Sequence, residues 1–359
     1  MANTNIIDLL FNYPSLGPES ESVVTSLGQR ILKDAKVAAS YIPIEGFPEY
    51  QSIVAEWLSL PNYKIDPEQI AFGVSGHNIL TSILLSQTKA GQAIACDSIT
   101  YNGWINVTRQ TERRNIPIAV DSHGMRPDAL DEAASKEKLW GVFLMPSLHN
   151  PCTTVMPLER RKAIIDVCKK HDLSIIDDDA YQFLNSAAPP SFAHLYPEKS
   201  FWIQSLTKPV FSSIKTAVVV APKSCVGSLV ESSRSVAHQP SALTLPWVMD
   251  LISSKKIDQV IALKRNLVKE RQVLAKQLLS SFEYETTDFS YHLWLTLPTG
   301  WTSVSATQAL RDAGVAVASG ISYSPSGIDP NKIRVALAGE EGLERVKQGL
   351  EILVKVLSI

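Results

Sequence analysis

The chain has 359 residues, 45% of them hydrophobic and 19% charged, which is enough apolar material for one large domain and a smaller one. Lys and Arg total 34 against 36 Asp and Glu, and a formal net charge of −2 builds no electrostatic footprint for a nucleic acid or an anionic membrane. The four cysteines (Cys96, Cys152, Cys168, Cys225) form no CxxC pair, so neither a zinc site nor a disulfide framework is expected.

At the amino end the first basic residue is Arg30 and Asp8 interrupts the early apolar stretch, so no secretory leader is expected. No apolar run approaches the roughly 18 residues of a membrane span, which leaves the cytoplasm as the expected compartment and a small molecule as the expected partner. From position 69 onward, short β-branched runs alternate with helical patterns: "QIAFGV", "QAIACD", "IPIAVD", "LWGVFLMP", "LSIIDD", "FWIQSL" and "TAVVVAP". Seven such runs before residue 223 predict an α/β fold with a mostly parallel seven-stranded sheet. Among the intervening helices, "LERRKAIIDVCKKH" is expected to bury Ala163, Ile164, Val167 and Cys168.

Beyond residue 255 the pattern changes. Ile257, Val260, Ile261, Leu267, Leu274 and Leu278 predict a long helix leaving the large domain, followed by a strand at "YHLWLTLP", a helix near "SATQALRDAG" and a strand at "KIRVALAG". A terminal helix would carry Leu343, Val346, Leu350, Leu353 and Leu357 on one stripe. The expected partition is an N-terminal segment 1–35, a large domain 36–255, and a linking helix with a small α+β domain at 256–359.

In open parallel sheets ligands sit at the carboxyl ends of strands. Those ends carry Ser75-Gly76-His77-Asn78, "SLHNP", Asp177-Asp178-Asp179-Ala180-Tyr181 and Ser205-Leu206-Thr207-Lys208. "GVSGHN" lacks G-x-G-x-x-G and the chain has no G-x-x-x-x-G-K-[ST], which argues against dinucleotide and P-loop readings. A nucleophile elbow at Ser75 needs Gly where His77 stands, so a serine hydrolase is disfavoured. Asp177 and Asp179 read as caps of the following turn.

Asp178-x-x-Tyr181, Ser205-x-x-Lys208, "SLHNP", Arg334 in "KIRVALA" and "YIPIEGFPEYQSIVAEWL" at 41–58 occur in the order and spacing of one family. Together they resemble the class I/II aminotransferases, fold type I pyridoxal-phosphate enzymes, in the subgroup of 2-aminoadipate and kynurenine aminotransferases and the effector domains of MocR regulators. The resemblance implies pyridoxal 5'-phosphate as cofactor, with a small C-terminal domain beside the large one. Asp178 would keep the ring nitrogen protonated, and Lys208 would condense with the cofactor aldehyde and later shuttle the α-proton. Tyr181 and Asn150 would donate to the cofactor phenolate, while Tyr101 would stack on the ring. Gly76, His77 and Ser205 would take the phosphate with Lys215, which stands where relatives carry arginine. Arg334, with Asn150, would bind the substrate carboxylate. Tyr41 would reach the phosphate from the neighbouring subunit of a homodimer.

Two departures touch the substrate side: Asn150-Pro151-Cys152-Thr153 replaces "NPTG", and Ser290-Tyr291, or Phe289-Ser290 in the other register, stands where relatives have Gly-Gly. Transamination is the expected reaction. A cyclase, dehydratase or oxidase acting on arginine or hydroxyarginine is the alternative within the fold, and a non-catalytic amino-acid sensor is the alternative outside enzymology.

Overall fold

The computed structural model describes residues 6–13, 48–238 and 240–358, with isolated positions between 22 and 36. Seven strands build the large sheet: β1 (Ile70–Gly73), β2 (Ala93–Asp97), β3 (Arg114–Ile118), β4 (Leu139–Leu144), β5 (Ser174–Asp178), β6 (Ser200–Ser205) and β7 (Ala217–Val220). Their order across the sheet is β1-β7-β6-β5-β4-β2-β3, and β7 alone of these runs antiparallel to its neighbours. Apart from the partly exposed edge strand β3, the strands are buried and largely apolar because helices cover both faces. Successive residues therefore enter different cores: Phe143, Ile176, Ile203 and Val219 pack on one side. Val142, Leu144 and Ile175 pack on the other, with Trp202, Val218 and Val220 continuing that face in a second cluster.

The helices around this sheet are α1 (Pro48–Leu58), α2 (Gly76–Gln87), α3 (Asn102–Gln110), α4 (Pro127–Lys136), α5 (Leu158–His171), α6 (Lys223–Ala237) and α7 (Leu245–Ser253). Two expectations shift here. The run at 116–121 is a strand only to Ile118, where its register against β2 ends at Asp97; Val120–Asp121 instead pairs with Gly124–Met125. Pro117 lies within β3, which sits at the edge of the sheet, a place where a missing N–H is tolerated. On α5, Ile164 and Cys168 are buried as expected, but Ala163 and Val167 are only half-buried and Arg161 is fully enclosed. Its guanidinium donates to the carbonyls of Met156 and Pro190 and to Ser147 Oγ, which gives each of its three nitrogens an acceptor.

Helix α8 (Lys256–Leu278) leads from the large sheet to the small one. It buries Ile257, Val260 and Ile261 as expected, but further along Val268 and Ala275 face inward in place of Leu267, Leu274 and Leu278, which are half-buried. Lys264, Arg271 and Gln272 are buried on the same helix, and the last two find backbone acceptors: Arg271 donates to the carbonyls of Leu337 and Glu340, and Gln272 to that of Ser290. Helical periodicity cannot anticipate a buried polar residue whose partners lie 18 to 69 positions away.

The small sheet contains β8 (Tyr284–Glu285), β9 (His292–Thr296), β10 (Ala318–Ser319) and β11 (Lys332–Ala336), antiparallel in the order β8-β9-β11-β10. Helices α9 (Ser303–Asp312) and α10 (Leu343–Leu357) cover one face. On α10, Val346, Leu350, Leu353 and Leu357 are buried while Leu343 is 44% exposed, so the stripe begins one turn later than expected. Each of those four side chains contributes about 1.5–3 kcal/mol by leaving water. Ile7–Asp8 adds a short strand parallel to Val315–Ala316, which ties the beginning of the described chain to this domain.

Candidate active site

The four strand ends named from the sequence do meet. Gly76, His77, Tyr101, Asn150, Asp178, Tyr181, Ser205, Lys208 and Lys215 all line one recess of about 570 Å³ at the carboxyl edge of the large sheet. Tyr41 lies outside the described residues. Arg334 lines a second recess of about 1030 Å³ that shares His77, Tyr101, Asn150, Tyr181 and Lys208 with the first, so the two form one continuous site.

Local structure explains each position. Ser75 caps α2 by accepting from the Asn78 amide, which aims the first turn of the helix, with Gly76 and His77, at the recess. Gly103 is required beside it: a Cβ there would overlap the Tyr101 ring and His77. Tyr101 Oη lies 3.4 Å from His77 Nε2. Asp178 ends β5 and accepts only a 3.3 Å bond from the Ala180 amide, leaving its carboxyl to face the recess. Its neighbours are spent on structure. Asp177 accepts from the Phe192 amide, and Asp179 from the Ser147 amide and the Trp202 indole. The expectation of local turn caps is thus corrected: all three of those partners are distant in sequence, which local turn patterns cannot reveal.

Charge in the site is balanced on a knife edge around neutral pH. Burial, aided by the positive charges of Arg334 and Lys215, lowers the Lys208 amine to about 7 against the opposing pull of Asp178. Burial likewise raises Asp178 to about 7, although the Ala180 amide and Lys208 favour its ionised form. His77 is lowered by burial and by both lysines, so it is neutral and able to accept or donate one proton. Lys208 Nζ donates to the Asn12 carbonyl at 3.1 Å and sits 3.6 Å from the centre of the Tyr13 ring.

On the far wall, β11 places Arg334 opposite Trp294 and Ala318. The guanidinium donates to Asn150 Oδ1 at 3.0 Å and to the Leu10 carbonyl, and lies 5.4 Å from the Tyr323 ring centre. Because Asn150 Oδ1 accepts from Arg334, the amide nitrogen of Asn150 is turned away and can donate elsewhere. Arg334 Nε is buried without a partner, an unmet donor of the kind a bound carboxylate satisfies.

Sequence reasoning missed Asn12, Tyr13, His292 and Tyr323. Asn12 and His292 meet side chain to side chain across 280 positions, and no local pattern marks either one.

The donor set fits pyridoxal 5'-phosphate: a near-neutral buried amine, a buried carboxyl held by a single amide, a helix N-terminus beside a cation, and an unmet guanidinium N–H. Fold and site together define a fold type I pyridoxal-phosphate enzyme. A family model for "Aminotransferase class I and II" matches residues 4–349, and the chain belongs to that family. Among its relatives, the 2-aminoadipate transaminase of Thermus thermophilus is 23% identical over 96% of this chain and 89% of its own. The uncharacterized HTH-type transcriptional regulator YdeF of Bacillus subtilis is 26% identical over 82% of this chain, which spans 64% of that longer protein. The crystal structure of LysN, the alpha-aminoadipate aminotransferase of Thermus thermophilus, superposes with a TM-score of 0.88 at 22% identity, covering 99% of this chain and 92% of that one. The Pyrococcus horikoshii kynurenine aminotransferase gives the same score at 17% identity, with 99% and 91% covered. No described helix is long and apolar enough to cross a membrane.

Proposed function

We propose that this chain moves the amino group of an α-amino acid to a 2-oxo acid, with pyridoxal 5'-phosphate resident in the recess between Asp178 and Lys208. The observation that carries the reading is the Lys208 amine, lowered to about 7, enclosed with Asp178 and sharing its recess wall with Arg334. When bound, the cofactor supplies a protonated ring that absorbs the electron pair released at the substrate α-carbon. Everything else falls to the chain.

Asp178 would hold the proton at the ring nitrogen, because a carboxyl raised by burial ionises readily once a cation lies against it. Lys208 would carry the cofactor covalently and then take and return the proton at the α-carbon, a task that needs a neutral amine. Tyr101 would cover one ring face, and Tyr181 and Asn150 would donate to the ring oxygen. The first turn of α2, Ser205 and Lys215 would hold the phosphate; a lysine supplies a point charge there, without arginine's planar fork. Arg334, already fixed by Asn150 and Leu10, would grip the substrate carboxylate with its unused N–H. Tyr41 of a second copy would complete the phosphate site in a homodimer. The same reading divides the chain into an N-terminal segment 1–35, a cofactor domain 36–255 and a helix-linked small domain 256–359.

The test is a panel of amino acids, arginine included, incubated with cofactor-loaded protein with and without a 2-oxo acid, with products analysed by mass. Release of the donor's 2-oxo acid matched by amination of the acceptor is the expected result. The likeness to YdeF motivates a second reading as a ligand-binding module. Spectral change without turnover across the panel would favour that reading and overturn the first.

A further inference from the structure

Tyr181 does not meet the recess alone. Asn12, 4% exposed, places its amide Nδ2 3.0 Å from Tyr181 Oη and 2.9 Å from Nδ1 of His292, which is fully buried on β9. The other ring nitrogen of His292, Nε2, lies 3.2 Å from the backbone carbonyl oxygen of His149. A carbonyl can only accept, so Nε2 carries the hydrogen. The charges facing this imidazole are positive. They are Arg334, and His149, where burial works against the proton but Cys152 and the Asp97 carboxylate, 3.1 Å from His149 Nε2, hold it up to about 10. Burial and those cations keep His292 in its neutral, single-proton form.

The consequence runs outward through three groups. With its hydrogen on Nε2, Nδ1 offers a lone pair, and Asn12 must present N–H to it; the flipped amide would set oxygen against lone pair. The second hydrogen of the same nitrogen then points at Tyr181 Oη, filling a lone pair there. A phenol has a single hydrogen of its own. The nearest acceptor, the Asn12 carbonyl, keeps a lone pair beside the 3.1 Å bond from Lys208 but lies 3.5 Å away, at the outer limit of a hydrogen bond. The Tyr181 hydrogen is therefore weakly held and free to turn to a stronger acceptor in the recess.

We propose that His292 is a positioning residue which, through the Asn12 amide, fixes the direction in which Tyr181 donates to the cofactor. The proposal rests on the reading of Tyr181 as a cofactor contact. It assigns a task to a residue within the "YHLWLTLP" run that the sequence had marked only as a strand.

A glutamine can reproduce both bonds of this imidazole, an oxygen toward Asn12 and an N–H toward the His149 carbonyl, whereas leucine can make neither. The full chain loaded with pyridoxal 5'-phosphate and free of substrate should be titrated by visible absorption in five forms: wild type, Tyr181→Phe, Asn12→Ala, His292→Leu and His292→Gln. A donor lost from Tyr181 raises the titration midpoint. Phe at 181 should raise it by about one pH unit, a tenfold change in proton affinity. His292→Leu and Asn12→Ala should move it the same way by about half as much, and His292→Gln should stay within about 0.2 unit of wild type. Wild-type midpoints in both His292→Leu and Asn12→Ala, with Tyr181→Phe shifted, would overturn the relay, as would equal shifts in His292→Leu and His292→Gln. A wild-type midpoint in Tyr181→Phe would sink the underlying cofactor-contact reading, and the relay with it. Should His292→Leu fail to fold, nitrogen-15 spectra of the cofactor-free wild type decide: His292 is expected neutral with its proton on Nε2, and a proton on Nδ1 refutes the proposal.

Discussion

The two walls of the site are built in opposite ways. The cofactor wall is an edge: β4, β5 and β6 end side by side, β1 ends at the same edge across the antiparallel β7, and each delivers its polar residue within a few positions of an apolar run. The opposite wall is a junction, where Leu10–Tyr13, Asn150, His292, Tyr323 and Arg334 arrive from five places in the chain; hydrogen bonds tie Asn12 to His292, His292 to the His149 carbonyl and Arg334 to Asn150 and Leu10, and the Tyr323 ring lies against the Arg334 guanidinium. Chemistry shared by a family can reside on the edge, whose geometry follows from sheet pairing. On the proposed function, selectivity would belong to the junction, where one altered side chain re-aims several others.

The sharpest way to break this comparison is at the edge. Lys208→Ala should lower turnover at least about 10³-fold and remove covalently bound cofactor, while circular dichroism stays that of wild type. Residual turnover near the wild-type rate would place the chemistry elsewhere. Asp178→Asn comes next. A neutral amide cannot hold the ring proton, and kcat should fall about 10²-fold with little change in KM. At the junction the signature should reverse. Arg334→Lys should raise KM for the amino acid about 10–100-fold, since the planar fork is lost, with kcat within about threefold of wild type. A fall in kcat at constant KM would mean that the walls do not divide the work as drawn.

The smallest effect is one of stability. Lys208 is lowered from its ordinary value to about 7 by burial, so its charged form is what the fold resists. The folded protein then binds fewer protons than the unfolded chain between about 7 and the ordinary lysine value, and this group's cost is greatest below 7 and fades as pH rises. In the cofactor-free protein, Lys208→Met should therefore raise the melting temperature by about 2–4 °C at pH 6, with the gain vanishing near pH 10. A gain that grows with pH would contradict a buried amine at this position.

The same division explains what the sequence could tell. Asp178 was legible because it ends an apolar β-branched run, and Lys208 because it follows Ser205 and another apolar strand 30 positions later, endings that parallel sheets align at one edge. The register of Asp178 opposite Ile203, two positions short of the end of β6, confirms that alignment. Arg334 was legible only through the family's motif, since its neighbours Leu10 and Asn150 lie 324 and 184 positions away. Asn12 and His292 were illegible for the same reason. Their significance lies in a bond between them, and neither local hydropathy nor turn chemistry encodes a partner 280 residues distant. Arg161 and Arg271 taught the same lesson in the core, where a cation in a helix reads as solvent-facing until backbone carbonyls from other elements are seen to receive it.

The pairing of Ile7–Asp8 with Val315–Ala316 carries a consequence for how the molecule comes into being. Closing a loop of some three hundred residues is an entropic debt that only late, non-local contacts can offset. During synthesis the early strands can zip into their sheet while the ribosome is still adding the remainder, but the opening residues have no seat until residue 316 has emerged. A growing polypeptide can thus assemble its large sheet before Asn12 and Tyr13, which lie against Lys208, take their seats beside it.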